Sequence, residues 1–275
     1  MAAVLHAKQN NTITRWVMLI LIMGFSKVSA HSDEHRLTII DTVSRSVVAI
    51  GRMTPLYSNR SDVLGTGFVI GTGNYVVTNH HVVAEPLDEN LVQSYVVITG
   101  RGRQIKYTEA DIVATAPRYD LAILKIKGAL PPLVLNKAPL HPPGTSVAFT
   151  GFPISGVLGV YPATHRGYVS ALTPDVLPAD RVTVQSARNL SRLDNPATVY
   201  QLDATAFPGN SGSPLYLPES GEVIGIVNKV YISEGKESAL TAPSGISYAI
   251  PSIHIQQLLS TVMDEPGTTG HNDPD

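Results

Sequence analysis

The chain contains no cysteine. No disulfide can brace it, and no thiolate can serve as a nucleophile or a metal ligand. A strong excess of positive or negative charge is also missing. The formal net charge is −2, so no field of the chain's own gathers nucleic acid, and no nucleic-acid partner is expected. Aromatic residues make up only 6% of the sequence, with Trp16 the single tryptophan. The apolar run Trp16 to Phe25 is about ten residues long, too short for a comfortable membrane span.

Apolar residues account for 43% of 275 positions, enough for a substantial core in one large domain or two small ones. Gly (22) and Pro (20) are frequent and the apolar runs are short, a pattern of strands joined by turns. Lys8 and Arg15, the apolar run and the small residues Val28-Ser29-Ala30 read as an export signal over residues 1–30, cut after Ala30. An uncleaved anchor is the alternative. The protein is therefore expected to be exported, periplasmic or secreted, and to meet a membrane only through that signal. An exported protein without cysteine fits a bacterial envelope.

Further along, residues 37–45 carry Leu37, Ile40 and Val43 at helical spacing. Strands are expected at 46–51, at 65–70 and 74–78 as a hairpin, and near 94–99, 104–115 and 121–126. Residues 54–63 read as a loop. Prolines at 131, 132, 139, 142 and 143 mark residues 128–145 as a connector. A second set of strands follows near 146–150, 157–161, 165–172, 182–186, 198–203, 213–217, 222–231 and 246–249. Pro251 to Met263 reads as a closing helix and residues 266–275 as a disordered tail. This order predicts an all-β protein of two packed antiparallel barrels, the first over about 37–135 and the second over about 144–263, with a C-terminal helix.

Three segments carry chemistry: Thr78-Asn79-His80-His81-Val82, Asp120-Leu121-Ala122-Ile123-Leu124-Lys125 and Pro208-Gly209-Asn210-Ser211-Gly212-Ser213-Pro214. A serine hydroxyl needs a base to take its proton and a third group to orient that base. The order His, Asp, Ser supplies all three, and it differs from the Ser-first order of the α/β-hydrolases. Each residue also has an ordinary use. Ser211 could be a turn serine, Asp120 a turn residue at a strand start, and His80 and His81 would point opposite ways on an extended chain. No third and fourth ligand accompanies the histidine pair, so no metal is expected, and no cofactor either.

Together these segments resemble the trypsin-like, chymotrypsin-fold serine peptidases, most closely the peptidase domain of the HtrA/Deg group. Gly225-Ile226-Val227-Asn228 and Gly245-Ile246-Ser247-Tyr248-Ala249-Ile250-Pro251 add to the likeness, which covers about residues 37 to 263. It implies two six-stranded barrels of the chymotrypsin type within a peptidase domain over 31–265. It implies catalytic His81, Asp120 and Ser211, with the histidine just before the valine selecting His81 over His80. The amides of Gly209 and Ser211 would form the oxyanion hole. Thr205 and Ala206 would form the base of the substrate pocket, and Ile226, Val227 and Asn228 its wall.

No acid stands at the pocket base, so cleavage is expected after small or medium apolar residues. Asn210 occupies a position that is aspartate in zymogen-activated relatives, so activation by N-terminal clipping is not expected. Two departures stand out: Ser213 replaces the usual glycine, and no PDZ domain is expected to follow. Gly-Asn-Ser-Gly-Ser-Pro also occurs in the glutamyl endopeptidase and exfoliative-toxin branch, which typically places a histidine in the pocket wall; Val223 to Tyr231 contains none. The expected function is an exported serine endopeptidase acting on peptides or unfolded proteins, with oligomerisation possible. The alternative is a non-catalytic peptide-binding or chaperone-like module on the same fold.

Overall fold

The computed structural model describes residues 34–57, 61–102, 104–153, 159–175, 196–228 and 245–263. The expected export signal, the strand near 182–186 and the C-terminal tail lie outside these residues. A helix, α1, over 34–44 leads into twelve strands. The first six are β1 (Val47–Met53), β2 (Ser61–Ile70), β3 (Tyr75–Asn79), β4 (Ser94–Arg101), β5 (Gln104–Ala116) and β6 (Leu121–Ile126). They close in the order β1-β2-β3-β6-β5-β4. The second six are β7 (Ser146–Gly151), β8 (Ala163–Pro174), β9 (Thr198–Asp203), β10 (Pro214–Tyr216), β11 (Val223–Asn228) and β12 (Ile246–Pro251). They close in the order β10-β11-β12-β9-β8-β7, and a helix, α2 (Ser252–Met263), follows. Among the described residues, these strands pair with one another antiparallel throughout, as in the chymotrypsin fold.

Successive strand residues face opposite ways, yet β6 reads Leu-Ala-Ile-Leu with all four buried. Both of its faces have an apolar layer to meet. Ala122 and Leu124 point into the first barrel with Val76, Val97 and Ile50. Leu121 and Ile123 point outward into a layer shared with Tyr216, Ile226 and Ile250 of the second barrel and Ile255 of α2. A third cluster, including Phe149, Val169, Leu202 and Val227, fills the second barrel. Each fully buried aliphatic side chain contributes roughly 1.5–3 kcal/mol, and these layers hold a chain that has no disulfide.

The expected strand at 157–161 does not form over the described residues 159–161. Gly159 has φ +83, which extended pairing does not use. Thr54–Val63, expected as a loop, gives way to β2 at Ser61, because Ser61 and Asp62 pair with Met53 and Arg52. The connector between the barrels is anchored by Asn136. Its carbonyl accepts from Ser252 Oγ at 3.2 Å and Gln256 Nε2 at 2.7 Å, and its amide donates to Glu222 Oε2 at 2.6 Å.

Candidate active site

The antiparallel pairing of β3 with β6 puts Asn79 opposite Leu121. The residues just beyond that pair must therefore meet. His80 N–H donates to the Asp120 carbonyl at 2.9 Å, and Asn79 Nδ2 donates to the same carbonyl at 3.2 Å. Asp120 sits in the left-handed region, φ 51 and ψ 47, after the tight turn Pro117–Tyr119. Aspartate tolerates that region better than most residues.

The turn aims the Asp120 carboxylate back at the segment that follows β3. Oδ1 accepts the His81 backbone N–H at 2.8 Å, and Oδ2 lies 2.6 Å from His81 Nδ1. Asp120 is thus both a turn residue and an orienter of the imidazole. With Nδ1–H donated to a carboxylate, Nε2 is left free to accept a proton. His80 takes no part in this contact.

Asn228 Nδ2, at the end of β11, donates to Asp120 Oδ2 at 2.8 Å. The carboxylate therefore receives hydrogen bonds from both barrels.

The turn carrying Ser211 comes from the second barrel, between β9 and β10. Gly209 (φ +96) and Gly212 (φ +90) supply conformations that L side chains rarely adopt. Asn210 N–H donates to the Phe207 carbonyl at 3.0 Å, and Gly212 N–H to the Val227 carbonyl at 3.0 Å. Thr66, fully buried on β2, fastens this turn to the first barrel. Its N–H donates to the Ser211 carbonyl at 2.9 Å and its Oγ1 to the Gly209 carbonyl at 2.7 Å.

A Cβ added at Gly65 would lie 2.9 Å from Val82 Cγ2 and 3.1 Å from the Ser211 carbonyl. At that point the segment after His81 and the turn carrying Ser211 close on each other. Ser211 is 7% exposed. No hydrogen bond joins its hydroxyl to His81 among the described residues; such contacts are often loose before substrate binds. The amides of Gly209 and Ser211 have no protein acceptor among the described residues. Two unspent donors beside a serine are what a developing oxyanion requires.

Of the expected pocket residues, Thr205 is half-buried and Ala206 lies in the core of the second barrel. Ile226 is enclosed in the layer between barrels, Val227 inside the second barrel, and Asn228 is turned onto Asp120. Asn210 is fully buried with neither amide atom bonded, and Ser213 Oγ is unbonded beside it. No ammonium or guanidinium meets Asn210 among the described residues. Nor does any group of three or more His, Asp and Glu able to hold a metal occur among them.

Sequence reasoning missed Thr66 and the role of Asn228. The signal for Thr66 was its setting, Gly65-Thr66-Gly67, since glycine inside a strand marks close approach of another backbone. Nothing local distinguishes Asn228.

The family model described as a trypsin-like peptidase domain matches residues 65–226. A "probable periplasmic serine endoprotease DegP-like" from Pseudomonas fluorescens is 34% identical over 189 residues, covering 68% of this chain and 32% of that protein. One of the same description from Chlamydia muridarum is 30% identical over 220 residues, covering 79% and 37%. The chain spans about a third of the length of these curated relatives. Among solved structures, the Rv3671c protease from M. tuberculosis in its active form superposes with a TM-score of 0.59 at 24% identity, covering 84% of this chain and 85% of that one. Deg5 superposes with a TM-score of 0.60 at 24% identity, covering 84% and 95%. At that identity the two structures speak to the fold.

Proposed function

The chain belongs to the trypsin-like peptidase family, with HtrA-type relatives, and on that premise we propose that it is an exported serine endopeptidase. Ser211 attacks the scissile carbonyl while His81 takes its proton through Nε2. Asp120 holds the imidazole in that tautomer and stabilises the imidazolium that forms. The tetrahedral oxyanion is received by the amides of Gly209 and Ser211. His81 returns the proton to the leaving amine, an ester on Ser211 remains, and water delivered by the same base hydrolyses it.

The observation that carries this reading is the 2.6 Å contact between His81 Nδ1 and Asp120 Oδ2, which commits one ring nitrogen and frees the other. Substrates are exposed or unfolded protein segments, cut after small or medium apolar residues. Supporting that preference, Ala206 is small, and no carboxylate lies among Thr205, Ala206 and residues 226–228. Export rests on the leader-like residues 1–30 and on relatives named as periplasmic.

The test is labelling by a fluorophosphonate probe, with Ser211→Ala as control, followed by a cleavage-site profile on a diverse peptide library. Labelling confined to Ser211, with cleavage after small apolar residues, is expected. A folded wild type that neither labels nor cleaves would return the chain to the peptide-binding alternative.

A further inference from the structure

His165 lies on β8 beneath the turn that carries Ser211, and the proposed mechanism gives it no part. Its cross-strand partner is Phe149. The two rings stack with centroids 4.8 Å apart and planes 19° from parallel. On the other side its ring meets Phe207, centroid to centroid 5.9 Å at a tilt of 42°. Phe207 begins the turn, and its carbonyl accepts the Asn210 N–H at 3.0 Å. That bond sets the backbone between the two candidate oxyanion donors, Gly209 and Ser211. His165 Nε2 is enclosed with no hydrogen-bond partner among the described residues.

Among the described residues, no charged group bears on this ring. From β7 it meets Phe149, from the turn Phe207. Its strand neighbour Arg166 is exposed, and so is Asp203 of β9. Of the buried tyrosines of this barrel, Tyr200 of β9 spends its hydroxyl on His141 N–H at 3.1 Å, and the Tyr216 hydroxyl of β10 meets Thr150 Oγ1 at 3.0 Å. An imidazolium between two phenyl rings would keep some attraction to their faces, but its buried N–H would find no acceptor. Consistently, burial alone pushes the His165 pKa below the ordinary histidine value.

We infer that His165 is a positioning residue whose neutral ring, wedged between Phe149 and Phe207, holds the oxyanion turn in place, and that its protonation releases the turn and switches the peptidase off in acid. This rests on the peptidase reading above. The sign follows from burial. The unfolded chain takes up a proton at the ordinary value, about 6.5, and the folded chain only below it. The folded turn is therefore at full strength above pH 6.5 and weakens as pH falls through that value toward the lower folded-state one.

The experiment compares wild type, His165→Phe and His165→Ala between pH 8 and pH 5, reading kcat, KM and melting temperature. His165→Phe keeps the stack and cannot be protonated. It is expected to keep kcat at pH 8 within about twofold and to show an acid limb with one proton fewer than wild type. Its melting temperature should fall less with acid. His165→Ala should lose kcat at every pH with little change in KM.

Superimposable pH profiles for wild type and His165→Phe would overturn the inference, as would full kcat in His165→Ala. If wild type neither labels nor cleaves, the peptidase reading fails by itself. The melting arm then decides the role of His165, and equal acid sensitivity of wild type and His165→Phe would sink it.

Discussion

Asn228 on the second barrel donates its side-chain amide to the oxygen of Asp120 that also faces His81 Nδ1, at 2.8 Å and 2.6 Å respectively. The carboxylate that orients the imidazole is thus itself held from across the interface between barrels. A hydrogen bond to a charged group is worth roughly 1.5–3 kcal/mol, but Asp120 keeps its other donors when this one is lost. Asn228→Ala is expected to lower kcat about tenfold, near 1.4 kcal/mol, with KM little changed. Steady-state kinetics on one peptide substrate checks this. A rise in KM at constant kcat would assign Asn228 to substrate binding instead.

Asp120→Asn tests the tautomer argument. The amide can donate to His81 Nδ1, which moves the imidazole proton to Nε2 and leaves no base facing Ser211. A loss of roughly 10⁴ in kcat is the expected scale. The bonds that the Asp120 carbonyl accepts from His80 N–H and Asn79 Nδ2 do not involve the Asp120 side chain. Thermal melting should therefore show a folded protein. An Asp120→Asn variant with near-normal turnover would remove Asp120 from the mechanism.

Gly151 and Gly212, both close to the turn of Ser211, should respond differently to alanine. At Gly151 an added Cβ would stand 2.0 Å from Ser213 Oγ, a side-chain atom, and 2.8 Å from Asn210 Oδ1. At Gly212 it would stand 1.9 Å from the Thr66 carbonyl, which is backbone, at φ +90. Gly151→Ala is therefore expected to be destabilising and partly rescued by Ser213→Gly, which removes the nearest obstacle and an unbonded buried hydroxyl together. Gly212→Ala should not be rescued by any neighbouring truncation. A double-mutant cycle on denaturant midpoints reads both outcomes, and additivity of Gly151→Ala with Ser213→Gly would contradict the first.

Strands 121–126 and 198–203 are legible in the sequence to the residue, the first as a nearly continuous apolar run and the second by its buried Val199, Tyr200 and Leu202 between polar ends. The segments holding the candidate residues His81, Asp120 and Ser211 stand out for a similar reason: each places a candidate side chain and its turn within a few consecutive residues. What could not be read depends on meetings between distant segments. Thr66 grips the turn of Ser211 across a sequence gap of 143 residues to Gly209, and Asn228 reaches Asp120 across 108. His165 lies beside Phe149 only because β7 and β8 pair in one particular register. The helix expected from Leu37 starts at residue 34 instead, since its first turn is polar and carries no apolar spacing.

Asp175 and Arg118 offer a last test, of the ground on which Asp120 stands. The Asp175 side chain is fully buried and ion-paired with Arg118, whose side chain is 31% exposed. The other carboxylate oxygen accepts Ala197 N–H at 2.8 Å, and Asp175 N–H donates to the Ala197 carbonyl at 2.8 Å, so residues 175 and 197 are clamped together. Arg118 lies two residues before Asp120, in the turn that sends Asp120 into the left-handed region. Removing one partner of a buried pair typically costs 3–5 kcal/mol, and partial exposure of the guanidinium reduces that here to roughly 2 kcal/mol. Arg118→Ala should lower stability by about that much, since it strands a carboxylate that water cannot reach. Adding Asp175→Asn should restore part of the loss, because the neutral amide no longer needs a counter-charge. If the stability losses simply add, the pair is not coupled, and the placement of Asp120 rests on the bonds it makes with His80, Asn79, His81 and Asn228.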